Sequence, residues 1–86
     1  MAHTFTIRLN TPAAYMIGRI ESEIIDRGGA FSGGSDSGSF SVQTVLGPVR
    51  GTYRRTSENE IAITIEDKPF LVPYGTIETE IRNYLA

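Results

Sequence analysis

The sequence predicts a two-layer α+β domain: an antiparallel sheet of four to five strands, in the order β-α-β-β-β-β-α, with both helices packed on one face. Three observations carry that expectation. The stretch from Ser39 to Glu66 reads as three short strands joined by two tight turns, and it holds the cleanest period-two alternation in the chain. Segments with apolar residues at helical spacing flank it on both sides. The alternation also leaves one sheet face of Phe, Val, Tyr and Ile, and an apolar sheet face has to be buried against something.

Phe5, Ile7 and Leu9 alternate with Thr4, Thr6 and Arg8, giving a first strand at about His3 to Leu9. Asn10-Thr11-Pro12 is a helix start, with Thr11 able to cap exposed N–H groups and Pro12 suited to the first helical position. From Pro12 to Arg27, Ala13, Ile17, Ile20, Ile24 and Ile25 make the inward face, with Met16 at its margin. Glu21, Ser22 and Asp26 occupy the other side, and Arg19 and Glu23 can pair one turn apart. Gly28-Gly29 ends the helix, where a left-handed residue is normally required. Ala30 to Gly33 is a short strand, followed by a flexible Gly/Ser-rich loop from Gly33 to Gly38.

In the central stretch, Phe40 and Val42 alternate with Ser39, Ser41 and Gln43. A short apolar step at Val45 and Leu46 leads into a turn at Gly47-Pro48. The next strand, about Val49 to Thr56, sets Val49, Gly51 and Tyr53 on one face and Arg50, Thr52 and Arg54 on the other. After a polar turn from Ser57 to Glu60, Ile61, Ile63 and Ile65 alternate with Ala62, Thr64 and Glu66. Asp67-Lys68-Pro69 breaks this strand. Phe70-Leu71-Val72 is expected to dock into the core as an apolar bridge, because a small domain needs every apolar side chain it has. Pro73 or Thr76 then starts a last helix, with Ile77, Ile81, Tyr84 and Leu85 on one face.

Eighty-six residues make a single domain over residues 1–86, since two cores would each be too small to stand alone. A net charge of −2 argues against a generic nucleic-acid binder, which needs a basic surface. The absence of cysteine removes disulfides, thiolate nucleophiles and cysteine-based zinc sites together. No basic leader with an apolar run opens the chain, and no apolar stretch approaches membrane-spanning length, so the cytoplasm is the default location.

Particular segments resemble the polyhydroxyalkanoic acid system proteins, small bacterial proteins associated with polyester storage granules. They are the helix and its glycine from Ile17 to Gly29, then GPVRGTY from Gly47 to Tyr53. The third is IAITIEDKPFLVPYGTIETEIRNYL from Ile61 to Leu85. The resemblance implies a bacterial origin and a link to such granules, through the polymer surface or a granule protein. It carries no catalytic motif, so no residue inherits a role.

Candidate sites follow from residue types. His3 is the one histidine and has no metal-binding or acid–base partner near it in sequence, which reads as a solvated strand residue. Gly33 and Gly38 are spaced as in a phosphate-binding loop, but Ser39 stands where lysine is required and a strand follows instead of a helix. Arg50, Arg54 and Arg55 form a basic cluster that could hold an anion or a partner's carboxylates; the alternative is a solvated sheet face balanced by nearby acids. Glu58, Glu60, Glu66, Asp67, Glu78 and Glu80 show no convergent pair, and Glu78 and Glu80 are stabilising near a helix N-terminus in any case. If Phe70 or Leu71 is exposed, it and Tyr74 offer contact to a polyester or lipid surface, or a dimer seam.

The resulting expectation is a non-enzymatic accessory or binding protein with no catalytic, metal or cofactor-binding residues. The alternative is a small-ligand carrier, in which the helices close over a curved sheet and leave a pocket; Gly47 and Gly51 suit that curvature. A third reading, an enzyme using Tyr15, Tyr53 or Tyr74, requires a pocket lined by one of these and a carboxylate.

Overall fold

The isoleucine strand lies inside the sheet with a neighbour on each edge. A computed structural model describes residues 2–85. It contains β1 (His3–Arg8), α1 (Ala13–Asp26), β2 (Ala30–Gly33), β3 (Ser37–Thr44), β4 (Gly47–Ser57), β5 (Glu60–Asp67) and α2 (Tyr74–Leu85). The five strands form one antiparallel sheet in the order β1-β5-β4-β3-β2. Strands β2 to β5 run as a meander, and β1 closes the far edge by pairing Phe5 with Ile63 and Ile7 with Ile61. The α+β class and the five-stranded antiparallel sheet are those read from the sequence.

Period-two alternation decides which side chains go inward. Ile61 and Ile65 are fully buried, and Phe5, Ile7, Leu9, Val49, Tyr53 and Ile63 share the same cluster. Ala13, Met16 and Ile17 from α1 and Ile77 and Leu85 from α2 complete it. Burying each such large aliphatic side chain contributes roughly 1.5–3 kcal/mol.

Details of α1 differ from the expectation. Its inward face runs through Ala13, Met16, Ile17 and Ile24, so Met16 is core and Ile25 lies 53 % exposed on the far side. Pro12 occupies the cap position, and no side chain caps the helix; the Thr11 hydroxyl is buried without a protein partner. Glu23 pairs with Arg27 at 2.7 Å, one turn toward the C-terminus, not with Arg19. That order, acid before base at i,i+4, is the better one on a helix. Gly28 takes φ +81° just past the helix, and its N–H reaches the Ile25 carbonyl at 3.0 Å, as the glycine stop predicts.

Two turns also move. Strand β2 runs to Gly33 and β3 begins at Ser37, so the expected Gly33–Gly38 loop shortens to three residues. It is tied down by the Tyr53 hydroxyl, which donates to the Gly34 carbonyl at 2.6 Å. At the other end of β3, Gly47 and Pro48 belong to β4, and the turn falls on Val45 and Leu46. Thr44 holds that turn, its hydroxyl donating to the Gly47 carbonyl at 2.7 Å and accepting from the Leu46 N–H at 3.2 Å.

The register of β4 against β5 slips between Arg50 and Gly51. Such a bulge bends the strand locally. Gly51 is needed there for space: a methyl group would sit 2.5 Å from the Thr64 carbonyl oxygen and 2.7 Å from Phe40 Cζ. Gly51→Ala should therefore lower stability by about 1–3 kcal/mol, read as a lower midpoint in urea denaturation with an unchanged slope.

Candidate functional site

The two helices share one face of the sheet but do not seal it. Helix α1 covers the sheet through Met16, Ile17 and Ile24, whereas α2 buries just Ile77 and Leu85. Between them Ile20 and Ile81 stay half-buried, as do Phe31, Phe40 and Val42 on the β2–β3 side. The result is an apolar cleft of about 460 Å³, floored by β3 and β4 and walled by α1 and α2. Its polar rim is formed by Glu23, Arg27, Thr44, Thr76, Glu80 and Tyr84. That volume lies within the range of small-molecule sites. A depression of about 580 Å³ along α1, near Tyr15, Gly18 and Arg19, is more open to solvent and lined by polar and apolar surface alike.

Tyr84 ties the helices across one end of the cleft, donating to Glu23 Oε1 at 3.1 Å. Arg27 donates to the other oxygen of the same carboxylate at 2.7 Å. The hydrogen bond from Arg27, and then that from Tyr84, hold the Glu23 carboxyl below its usual range. Burial first, and then the bond to Glu23, push the Tyr84 phenol up. A tyrosine–carboxylate pair thus lines the cleft, its carboxyl held below and its phenol above their ordinary values. Tyr53 also faces the cleft, yet its hydroxyl is committed to the Gly34 carbonyl.

His3 is not a free strand residue. Its Nε2 lies 2.7 Å from Glu78 Oε1, and its ring stacks on Tyr74 at 5.2 Å. Glu78 also accepts from Arg82 Nε at 2.8 Å. An ionised carboxylate only accepts, so the His3 proton sits on Nε2. The hydrogen bond from His3, then that from Arg82, hold Glu78 below its usual range. Glu78 thus fastens α2 to the edge strand β1, in addition to any helix-end effect. Sequence spacing gave no sign of this pair, because 75 residues separate its members. Among the described residues, no three His, Asp or Glu side chains gather as a metal site.

The basic cluster divides. Arg50 lies opposite Asp67 in the sheet register, Arg54 lies opposite Ala62, and Arg55 pairs with Asp36 at 2.6 Å across the β2–β3 turn. Among the described residues, Arg55 is the one of the three with an ion pair.

The apolar bridge also differs from expectation. Phe70 is 93 % exposed and Leu71 76 % exposed; Val72 alone of the three packs against the core. Pro69 and Pro73 bracket the segment, and the Val72 N–H closes a turn on the Pro69 carbonyl at 3.1 Å. That turn faces Phe70 and Leu71 outward. Tyr74 instead packs on the core and against His3, with Lys68 Nζ 4.9 Å from its ring. Sequence reading missed the cleft residues Ile20, Phe31, Phe40 and Val42 as a site; the apolar pair Val45-Leu46 beside a glycine was the one available signal.

With the geometry established, the chain matches no protein-family model, no curated protein and no solved structure.

Since Glu78 binds its proton less readily when folded, its stabilising effect is complete above the ordinary carboxylate value of 4.5. That effect is lost as pH falls through the lower folded value. Glu78→Gln should therefore melt below the parent at pH 7, with the gap closing as pH drops below about 4. Parallel thermal melts across pH 2–8 check this.

Proposed function

We propose that the protein is a non-enzymatic carrier of a small apolar ligand, held in the cleft between α1, α2 and the bulged sheet. The observation that carries this reading is the cleft itself, about 460 Å³ and lined chiefly by aliphatic and aromatic side chains. The rim narrows the ligand class. Its one cation, Arg27, is already paired with Glu23, which leaves Glu80 unbalanced. An anionic head group would meet net negative charge there, so an aliphatic molecule with an uncharged polar end fits best, its hydroxyl or carbonyl within reach of the polar rim.

Titration with an apolar fluorescent dye, followed by competition with a medium-chain alcohol and the matching carboxylate, tests the reading. The alcohol should displace the dye and the carboxylate should do so less well. Val42→Trp, which fills the floor of the cleft, should weaken binding at least about tenfold, or ~1.4 kcal/mol, with the melting temperature retained. A dye that ignores the protein, or binds Val42→Trp as well as the parent, rejects the carrier.

A second reading is favoured by the exposure of Phe70 and Leu71 together with the sequence resemblance. It is an accessory protein of polyhydroxyalkanoate storage granules in a bacterial cytoplasm, bound to the polymer or to a granule protein. Co-sedimentation with polyester particles at low and high salt tests it, against a folded control of similar charge. Apolar attachment predicts pelleting that salt does not weaken; a protein that stays in the supernatant leaves a granule protein as the remaining attachment.

A further inference from the structure

Four large apolar side chains stand out at one end of the sheet. Val45 is 102 % and Leu46 58 % exposed at the β3–β4 turn, beside the 93 % of Phe70 and 76 % of Leu71 in the β5–α2 connection. The two segments are neighbours: a methyl group at Gly47 would lie 3.5 Å from Pro69 Cγ. Both turns carry no charge over residues 44–48 and 69–73. Neither is loose. Thr44 hydrogen-bonds across the first, while prolines and the Val72 N–H set the second. The backbone therefore holds these side chains outward, where they add nothing to the core.

We infer that this paired tip seats the protein on a neutral lipid–water interface, with the mouth of the cleft turned toward the lipid. Three features favour that occupant. First, Val45 and Leu46 belong both to the tip and to the cleft lining, so an apolar path runs from one to the other. Second, neither turn carries a charge, whereas a protein interface surrounds its apolar centre with a polar rim. Third, side chains projecting from two separate turns are surrounded completely only by a phase that yields around them; a rigid flat surface touches one side of each. Charge adds a limit. Lys68 is the one cation in the β5–α2 connection and the chain is acidic overall, so attraction to anionic lipid contributes little. Transfer of a ligand between lipid and cleft rests on the carrier reading, whereas the docking does not.

The test is sedimentation with phosphatidylcholine vesicles at low and high salt. The parent should pellet equally at both. Phe70→Ser with Leu71→Ser, and separately Val45→Ser with Leu46→Ser, should each lower the partition coefficient by about tenfold or more. All four side chains are exposed, so thermal melts should show both variants folded. Neither Phe70 nor Leu71 lines the cleft, so that variant should bind the cleft dye as the parent does. A parent that docks but binds no dye rejects the carrier alone; a parent that binds the dye but does not dock rejects the interface alone. Docking is overturned if the parent stays in the supernatant, pellets only with anionic vesicles at low salt, or binds polyester particles and not vesicles. It is also overturned if sedimentation velocity shows a dimer that the Phe70/Leu71 variant abolishes.

Discussion

Burial of the inner face of β5 is the constraint on which the other elements depend. Ile61, Ile63 and Ile65 are covered along the whole strand because β1 and β4 flank it and side chains from both helices join the same cluster. Helix α1 gives it three buried residues and α2 two. Toward β3 and β2, Phe40, Val42 and Phe31 are left half-buried. The cleft is the far side of a core centred on β5.

Helix α2 is placed differently from α1. With few buried residues of its own, it relies on the His3–Glu78–Arg82 chain along one side and on Tyr84 reaching Glu23 on the other. These ties are partly or wholly solvent-exposed, where ion pairs contribute little individually and are screened by salt. They fix orientation more than they add stability. A helix held in that way can keep a gap beside it, because no large apolar interface pulls it flat onto α1.

The same physics explains how far the sequence could be read. Alternation over Phe5 to Leu9, Val49 to Tyr53 and Ile61 to Ile65 is a local signal with a single solution, so strands, order and inward faces were all legible. Gly28 marked its own conformation. Residues whose fate depends on what arrives from elsewhere were not legible. Ile25 and Met16 exchange roles because the direction from which the sheet approaches α1 decides the buried stripe. His3 finds Glu78 only after folding. Phe70 and Leu71 look like core material in a list of residues, and it takes the Pro69–Val72 turn to aim them at solvent. Val45-Leu46 became a turn because Thr44 can hydrogen-bond across it, a competition between neighbouring two-residue turns that the apolar pattern does not settle. The cleft is the least legible feature of all, since it is defined by where two helices fail to meet.

Exposed apolar residues scattered over a surface need no explanation. Here their placement is what calls for one. Small domains gain stability by turning every available large apolar side chain inward, and this chain leaves a phenylalanine, two leucines and a valine outside on adjacent turns. Each turn is held by specific hydrogen bonds and prolines, so the backbone itself sets the exposure. A half-open apolar cleft reaches the surface at those same turns. Core formation accounts for neither feature, and polar substitutes at these positions would fold equally well. An apolar cleft that opens through an apolar tip is one continuous surface, and the simplest physical account of it is a contact that the folded monomer leaves unmade.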